Sequence, residues 1–164
     1  MQRATHLLAW AGLALAVFSL GIMAGFFGTY SANVNLATRE LNGATYALVQ
    51  SGFNRNVRHA LFFAFFFSPP LLCLLALADA WRQRPAWWWL VAGIGLAYAL
   101  GIVLFTRQVN LPLNHLTESW TAATLPPDWA ATRDAWNRAN AWRAACSATL
   151  FALALAALCW RARR

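Results

Sequence analysis

Near the C-terminal end of the chain, Trp129, Arg133, Trp136, Asn140 and Arg143 follow one another at offsets of 4, 3, 4 and 3, which on an α-helix places all five on one face. Two indoles, two guanidinium groups and an amide suit neither lipid nor open water. They suit the wall of a pocket, and Arg143, at the edge of a long apolar run, needs an anionic or carbonyl partner there. A second group is Asn110-Leu-Pro-Leu-Asn114-His115. Pro112 biases Leu111 toward an extended backbone, so the segment is expected to leave its helix and aim Asn110 and Asn114 inward; a polar helix stop would use the same residues. His115 titrates near neutrality if unperturbed, although a lone interfacial imidazole is more often surface than catalyst. Gln50 and Asn54 belong, with Asn33, Asn35, Asn42, Asn56, Gln108 and Asn137, to the same polar connections.

Other site chemistries find less support. His6, His59 and His115 show neither HExxH nor His-x-His spacing, so no metal site is predicted, Glu40 or Glu118 with His59 and His115 being the remaining option. GxSxG, P-loop and GxGxxG motifs are absent, which leaves hydrolysis and nucleotide chemistry unsupported. Cys73, Cys146 and Cys159 all fall in apolar runs without CxxC spacing and read as small buried residues rather than a disulfide framework.

The elements that must position these residues are membrane helices. Of 164 residues, 60% are hydrophobic and 11% charged, against roughly 25% charged in a soluble domain. The apolar runs define a single all-α, four-span membrane domain over residues 1–164, with spans at about 7–30, 60–79, 86–106 and 143–160, each near the roughly 20 residues that cross a bilayer. The first run is longer than the 7–15 residues of a signal h-region and reads as a retained helix. Between the spans, residues 31–59 and 107–142 form a crown on the face opposite the termini. The stripe Tyr46, Val49, Phe53, Val57, Leu61 predicts that the second span begins well outside the bilayer as one helix. Pro126-Pro127-Asp128 is the start signal of the last helix, expected to run unbroken from Trp129 into its span.

All 13 basic residues are Arg, giving a net charge of +8, but they scatter around span ends in no basic run, which argues against nucleic acid. Arg3, Arg82, Arg84, Arg161, Arg163 and Arg164 crowd into very short segments, so both termini are expected on the cytoplasmic side of the inner membrane and the crown outside. Trp81, Trp87, Trp88, Trp89 and Trp160 fit an aromatic belt at the cytoplasmic interface. Gly21 and Gly25 form a small-xxx-small pair, expected to pack within the bundle. Ser68-Pro69-Pro70 predicts a kink or local opening in the second span and is a pointer to an internal pocket. Lipid and a hydrophobic small molecule are the expected partners; the oligomeric state is left open.

Taken in order, Ala24-Gly-Phe-Phe-Gly-Thr-Tyr-Ser31, Asn54-Arg-Asn-Val57 leading to Leu61-Phe62, Pro69-Pro70-Leu71, Asn110-Leu-Pro-Leu-Asn114 and Trp136-Asn-Arg-Ala-Asn140-Ala-Trp-Arg143 resemble the anthrone oxygenase-like family of small four-span membrane proteins, also grouped as domain of unknown function 1772. The resemblance covers nearly the whole chain, and N-x-P-x-N with W-x-x-x-N-x-x-R are its most specific parts. Two positions depart from the pattern: His115 stands where a further amide or small polar residue is usual, and His59-Ala60 where Asn-Pro is expected. The resemblance implies oxidation of a hydrophobic anthrone-like aromatic by O2 as co-substrate, with no cofactor. Such chemistry needs a base and an oxyanion clamp. His115 is the candidate base, and Arg143, Asn114 and Asn140 are the candidate stabilisers of an enolate oxygen. Asn110, Trp129, Trp136, Gln50 and Asn54 are the candidate substrate-binding residues, with the indoles as stacking surfaces. The competing reading is non-enzymatic: a lipid or small-molecule binder, or an accessory subunit whose Asn/Arg network locks the crown. A channel or transporter has less support, since no internal repeat is present.

Overall fold

A computed structural model describes residues 2–163. Every regular element among them is helical: α1 (Gln2–Thr29), α2 (Asn35–Arg39), α3 (Gly43–Asn56), α4 (Ala60–Ala76), α5 (Ala86–Tyr98), α6 (Leu111–Glu118) and α7 (Trp129–Ala162), with π-helical stretches at Tyr30–Val34, Ala99–Leu104 and Thr106–Asn110. Where a π stretch joins two α-helices the rod continues. Four helices are thus long and apolar enough to cross a membrane, Arg3–Arg39, Ala60–Ala80, Ala86–Glu118 and Trp129–Ala162, and the protein is a multi-pass, all-helical membrane protein. At about 1.5 Å per residue, the first, third and fourth exceed the roughly 30 Å hydrocarbon thickness by some 20 Å. Their surplus, with α3, builds the crown.

The bundle is organised by 4-3 spacing. Ala9, Leu13, Ala16, Leu20, Met23 and Phe27 on α1 are each at most 1% exposed and form one seam against α4 and α7. On α7 the buried seam is Trp136, Asn140, Arg143, Ser147, Leu150, Ala154, Ala157 and Arg161, the same face as the sequence pattern carried through the membrane. Gly21 meets the Phe151 ring, where an added Cβ would lie 3.0 Å away, so this half of the small-residue pair packs within the chain. The α4 helix runs through Pro69 and Pro70 without interruption, and the Ser68 hydroxyl one residue earlier donates to Ser19 Oγ at 3.1 Å.

Three expectations change. The second span does not extend to Tyr46: α3 and α4 are separate, because His59 turns extended (φ −125°, ψ 163°) and its Nδ1 accepts from Phe62 N–H at 3.3 Å as the N-cap of α4. The face of α3 turned into the crown is Gly43, Tyr46, Ala47, Gln50, Ser51 and Asn54, largely polar, and Ser51 Oγ donates to Thr117 O of α6 at 3.1 Å. Nor does the chain leave the helix before Pro112. The backbone widens instead: Leu111 N–H reaches Thr106 O, and Pro112 sits in the first turn of α6, where its missing N–H is tolerated. Finally, Trp87 and Trp88 are buried rather than part of an open belt, Trp88 donating to Leu77 O at 3.1 Å; Trp81, Trp89 and Trp160 remain exposed.

Candidate active site

Where the spans meet the crown, α1, α3, α4, the third span and α7 enclose a cavity of about 400 Å³, within the roughly 300–1,000 Å³ of small-molecule sites. Its walls are aromatic: Phe26, Phe27, Tyr30, Phe53, Phe62, Phe63, Phe66, Phe67 and Trp136. Its polar groups are few, Asn54, Arg58, Thr106, Arg107, Asn114, Asn140 and Arg143. Each of the three π stretches contributes a wall residue, Tyr30, Val103 or Thr106, and such wide turns, rare elsewhere, recur at functional sites.

Arg143 is the central group. It is 7% exposed, and no carboxylate lies within salt-bridge distance of it among the described residues. Nη2 donates to Asn140 Oδ1 at 2.8 Å and Nη1 to Thr106 Oγ1 at 3.4 Å; the guanidinium lies 4.5 Å from the Phe27 ring centre and 5.7 Å from that of Trp136. Nε has no partner. A buried cation held by an amide, a hydroxyl and ring faces is uncompensated. The cavity therefore favours an anion, or an oxygen on which negative charge develops.

The amides around it have distinct duties. Arginine only donates, so Asn140 turns its oxygen to Arg143 and its nitrogen to Phe27 O at 3.2 Å and Ser31 Oγ at 2.8 Å. Both ends of the Asn140 amide are thus engaged, and it positions the guanidinium. Trp136 Nε1, also a pure donor, bonds Asn114 Oδ1 at 2.7 Å, which leaves the Asn114 NH2 to offer. The Tyr30 hydroxyl, just past the end of α1, donates to Gln50 Oε1 of α3 at 3.3 Å, and Gln50 Nε2 donates to Asn54 Oδ1 at 3.0 Å. Asn54 lines the cavity and Gln50 stands behind it. Arg58 is paired with Glu118, while exposed Arg107 lines the same cavity.

The fold thus brings together Asn54, Asn114, Trp136, Asn140 and Arg143. It leaves four candidates outside the wall, Gln50 behind Asn54 being one of them. His115 is exposed and absent from the lining: one residue beyond Asn114 on α6, it is turned about 100° away from it. Trp129 packs instead on Tyr46, ring centres 5.6 Å apart, in a small crown core with Ala47 and Trp120; burial there pushes the Tyr46 phenol above its ordinary range. Asn110 is 1% exposed, with neither amide atom bonded and no place in the lining. Arg133 pairs with Asp134 and stacks on Trp129. No cluster of three His, Cys, Asp or Glu occurs among the described residues, and His59 is occupied as a cap. Sequence reasoning assigned no site role to Phe27 and Tyr30, quoted only within a family stretch, to Thr106, or to Phe62, Phe63, Phe66 and Phe67, because their partners lie on other elements.

Compared with known families, residues 53–156 match anthrone oxygenase, a segment that holds most of the cavity wall and all of the Asn114–Trp136–Asn140–Arg143 network. No curated protein and no solved structure matches the chain.

Proposed function

Because the chain belongs to the anthrone oxygenase family, we propose that it oxidises a hydrophobic, enolisable polycyclic aromatic with O2 inside this cavity. The observation that carries the reading is the buried Arg143 without a counter-ion on an aromatic wall. An anthrone methylene is acidified by its conjugated carbonyl, and Arg143 stabilises the oxygen on which the enolate charge settles, aided by the Asn114 amide; preorganised donors in a dry site are a large catalytic term. Neither a carboxylate nor an imidazole lines the cavity, so the methylene proton is taken by hydroxide at the mouth. The enolate carbon gives its electrons to O2 and forms a C–O bond, and protonation yields a hydroperoxide. Loss of the second C–H proton with O–O cleavage leaves the quinone carbonyl and one water. O2 is the oxidant throughout and the enolate the reductant, so the step needs no further redox group. Trp136, Tyr30 and the phenylalanines receive the rings.

The test is oxygen uptake by the detergent-purified protein with anthrone, beside Arg143→Ala. We expect uptake above the uncatalysed rate, falling at least a hundredfold in the variant; uptake equal to the uncatalysed rate would overturn the reading. A packing role is favoured by one observation, the closed Asn140–Phe27–Ser31 contacts, and predicts that same negative result with no anthrone bound, whereas a binding role predicts it with anthrone still bound. The dense arginines beside the termini favour an orientation with both termini in the cytoplasm and the cavity at the outer face. A reporter fused at the C-terminus and active only in the cytoplasm tests this, and activity only of a periplasmic reporter would reverse it.

A further inference from the structure

The second and third spans are tied together at two levels, and part of the cavity lies between the ties. Deep in the spans, Gly95 of α5 meets α4, where an added Cβ would lie 3.0 Å from Cys73 Cβ and 3.8 Å from Pro70 Cα. At the crown, Arg58, two residues before α4, pairs with Glu118 at the end of α6. Between these levels both rods supply cavity wall, Phe63 and Phe67 from α4 and Val103 and Arg107 from the third span. Yet Phe63 is 41% and Phe67 47% exposed, and Arg107 is exposed as well. A side chain that lines a cavity and is also open to the surroundings stands at the cavity's edge. The neighbouring seams are bridged by rings from facing elements, Phe26 of α1 with Phe62 of α4 at 5.3 Å and Tyr30 with Phe53 of α3 at 5.9 Å. Phe63 and Phe67 instead stack on each other, centres 6.0 Å apart, and their further ring contacts are with Phe62 and Phe66 of the same helix. Among the described residues, no ring of the third span meets them.

This edge lies at membrane depth. Phe63 and Phe67 belong to the span Ala60–Ala80, and at 1.5 Å per residue they sit about 5 and 10 Å along it from its crown end. We propose that the gap is a lateral window through which the cavity takes its ligand from the lipid phase, with Phe63 and Phe67 as its lip and an apolar polycyclic solute of the bilayer as what passes. Such a molecule leaves water for hydrocarbon, so it is presented to the protein at this depth. Crossing the lip exchanges lipid chains for phenylalanine rings, with no polar group to desolvate. Arg58 and Arg107, exposed and in the same wall, mark the interfacial end of the opening, where long basic side chains keep their charged heads in water. One opening thus admits an apolar ligand at its phenylalanine end and hydroxide at its arginine end. The inference rests on the reading of the cavity as a site for an aromatic ligand, and not on the oxidation that follows.

The experiment is photolabelling of the full-length protein in phosphatidylcholine vesicles with two probes, free benzophenone and a phosphatidylcholine that carries benzophenone on one acyl chain, whose ring stays in the hydrocarbon. Labelled positions are mapped by peptide mass spectrometry. We expect both probes to label Phe27 and Trp136, wall residues that are themselves buried. Excess anthracene should cut this interior labelling by about fivefold or more, as competition by mass action requires, and leave the label on Leu71 and Leu74, exposed on α4, unchanged. Phe63→Trp combined with Phe67→Trp narrows the gap and should slow interior labelling by the lipid probe about fivefold, an effect on entry rate, at equal surface labelling. The window is overturned if free benzophenone labels Phe27 and Trp136 while the lipid probe labels surface positions only, or if the double variant is labelled inside as fast as wild type. If the double variant fails to fold, the comparison of the two probes on wild type decides alone. Interior labelling by the lipid probe in a protein that shows no oxygen uptake keeps the window and sinks the oxidation. No interior labelling by either probe sinks the cavity as a ligand site, and the window with it.

Discussion

Asn140 holds Arg143 through its amide oxygen while its nitrogen is anchored on Phe27 O and Ser31 Oγ, and this makes the pair separable by mutation. In Asn140→Asp the acceptor facing Arg143 survives, but it now carries the charge that the guanidinium lacks. The second carboxylate oxygen faces Phe27 O where the amide nitrogen donated, so the unfolding midpoint is read beside the activity; the folded variant should lose oxygen uptake at least a hundredfold, because a neutralised Arg143 no longer favours an enolate, and uptake within threefold of wild type would show that the cation is not used. His115→Ala is expected to leave uptake within about twofold, and uptake in both proteins should rise with pH in parallel, as hydroxide does. A tenfold loss confined to low turnover in His115→Ala would return the imidazole to the reaction. At this scale the sequence was partly legible. Helical spacing alone assembled Trp136, Asn140 and Arg143, since side chains three and four apart must share a face. It could not exclude Trp129 and Arg133 from the cavity, because where along a helix one neighbour gives way to another depends on the other helices. Nor could spacing reveal that Phe27 O and Ser31 on the first span orient Asn140.

The elements show what a departure from the family pattern means physically. Asn-Pro at the start of the second span would be a cap followed by the residue that best tolerates the first helical position. His59-Ala60 fills the same roles, the imidazole Nδ1 accepting from Phe62 N–H. His59→Ala should therefore cost about 1 kcal/mol of stability, and His59→Asn with Ala60→Pro should restore or exceed wild type by about 0.5 kcal/mol; thermal unfolding in one detergent checks both, and an unchanged midpoint in His59→Ala would mean that the cap is idle. Gly43 gives a sharper case. A Cβ there would lie 2.4 Å from Leu125 Cδ2 and 2.8 Å from the Trp129 indole, so Gly43→Ala should loosen the crown and lower the unfolding midpoint. The break before α4 was hidden from sequence because the apolar stripe from Tyr46 to Leu61 is continuous, while its members have different destinations: Tyr46 into the crown core and Phe53 and Val57 onto the cavity wall. The π stretches were hidden too. A wide turn is decided by the net of helix hydrogen bonds around Pro112 and by packing on α7, neither of which a propensity records.

Across the whole molecule, four apolar runs sufficed for the fold class, because only helices satisfy their backbone inside lipid. The runs said nothing about what closes the end remote from the cavity. There Arg161, 5% exposed, is sandwiched between Trp10 and Trp87 at 4.6 Å from each ring, donates to Ala9 O and Ala76 O, and pairs with Asp79 Oδ2 at 2.5 Å. His6 Nδ1 lies 2.9 Å from the same oxygen, and its Nε2 accepts from Trp10. One guanidinium thus ties the first span, the end of the second, the start of the third and the last. Sequence read Arg161 as an interfacial anchor, for its hydrogen-bond partners lie 82 and more residues away. The seam on α7 runs from Arg143 to Arg161, with a paired cation at one end and an unpaired one at the other, and this contrast separates a structural arginine from a functional one. Removing one partner of a buried ion pair costs about 3–5 kcal/mol, so Arg161→Leu should lower the unfolding midpoint sharply while the protein that remains folded keeps its oxygen uptake per molecule. Arg143→Ala should do the reverse, losing uptake with little change in midpoint, because it removes a charge that was never compensated. Equal midpoint losses in the two variants would mean that Arg143, like Arg161, is there to hold the bundle together.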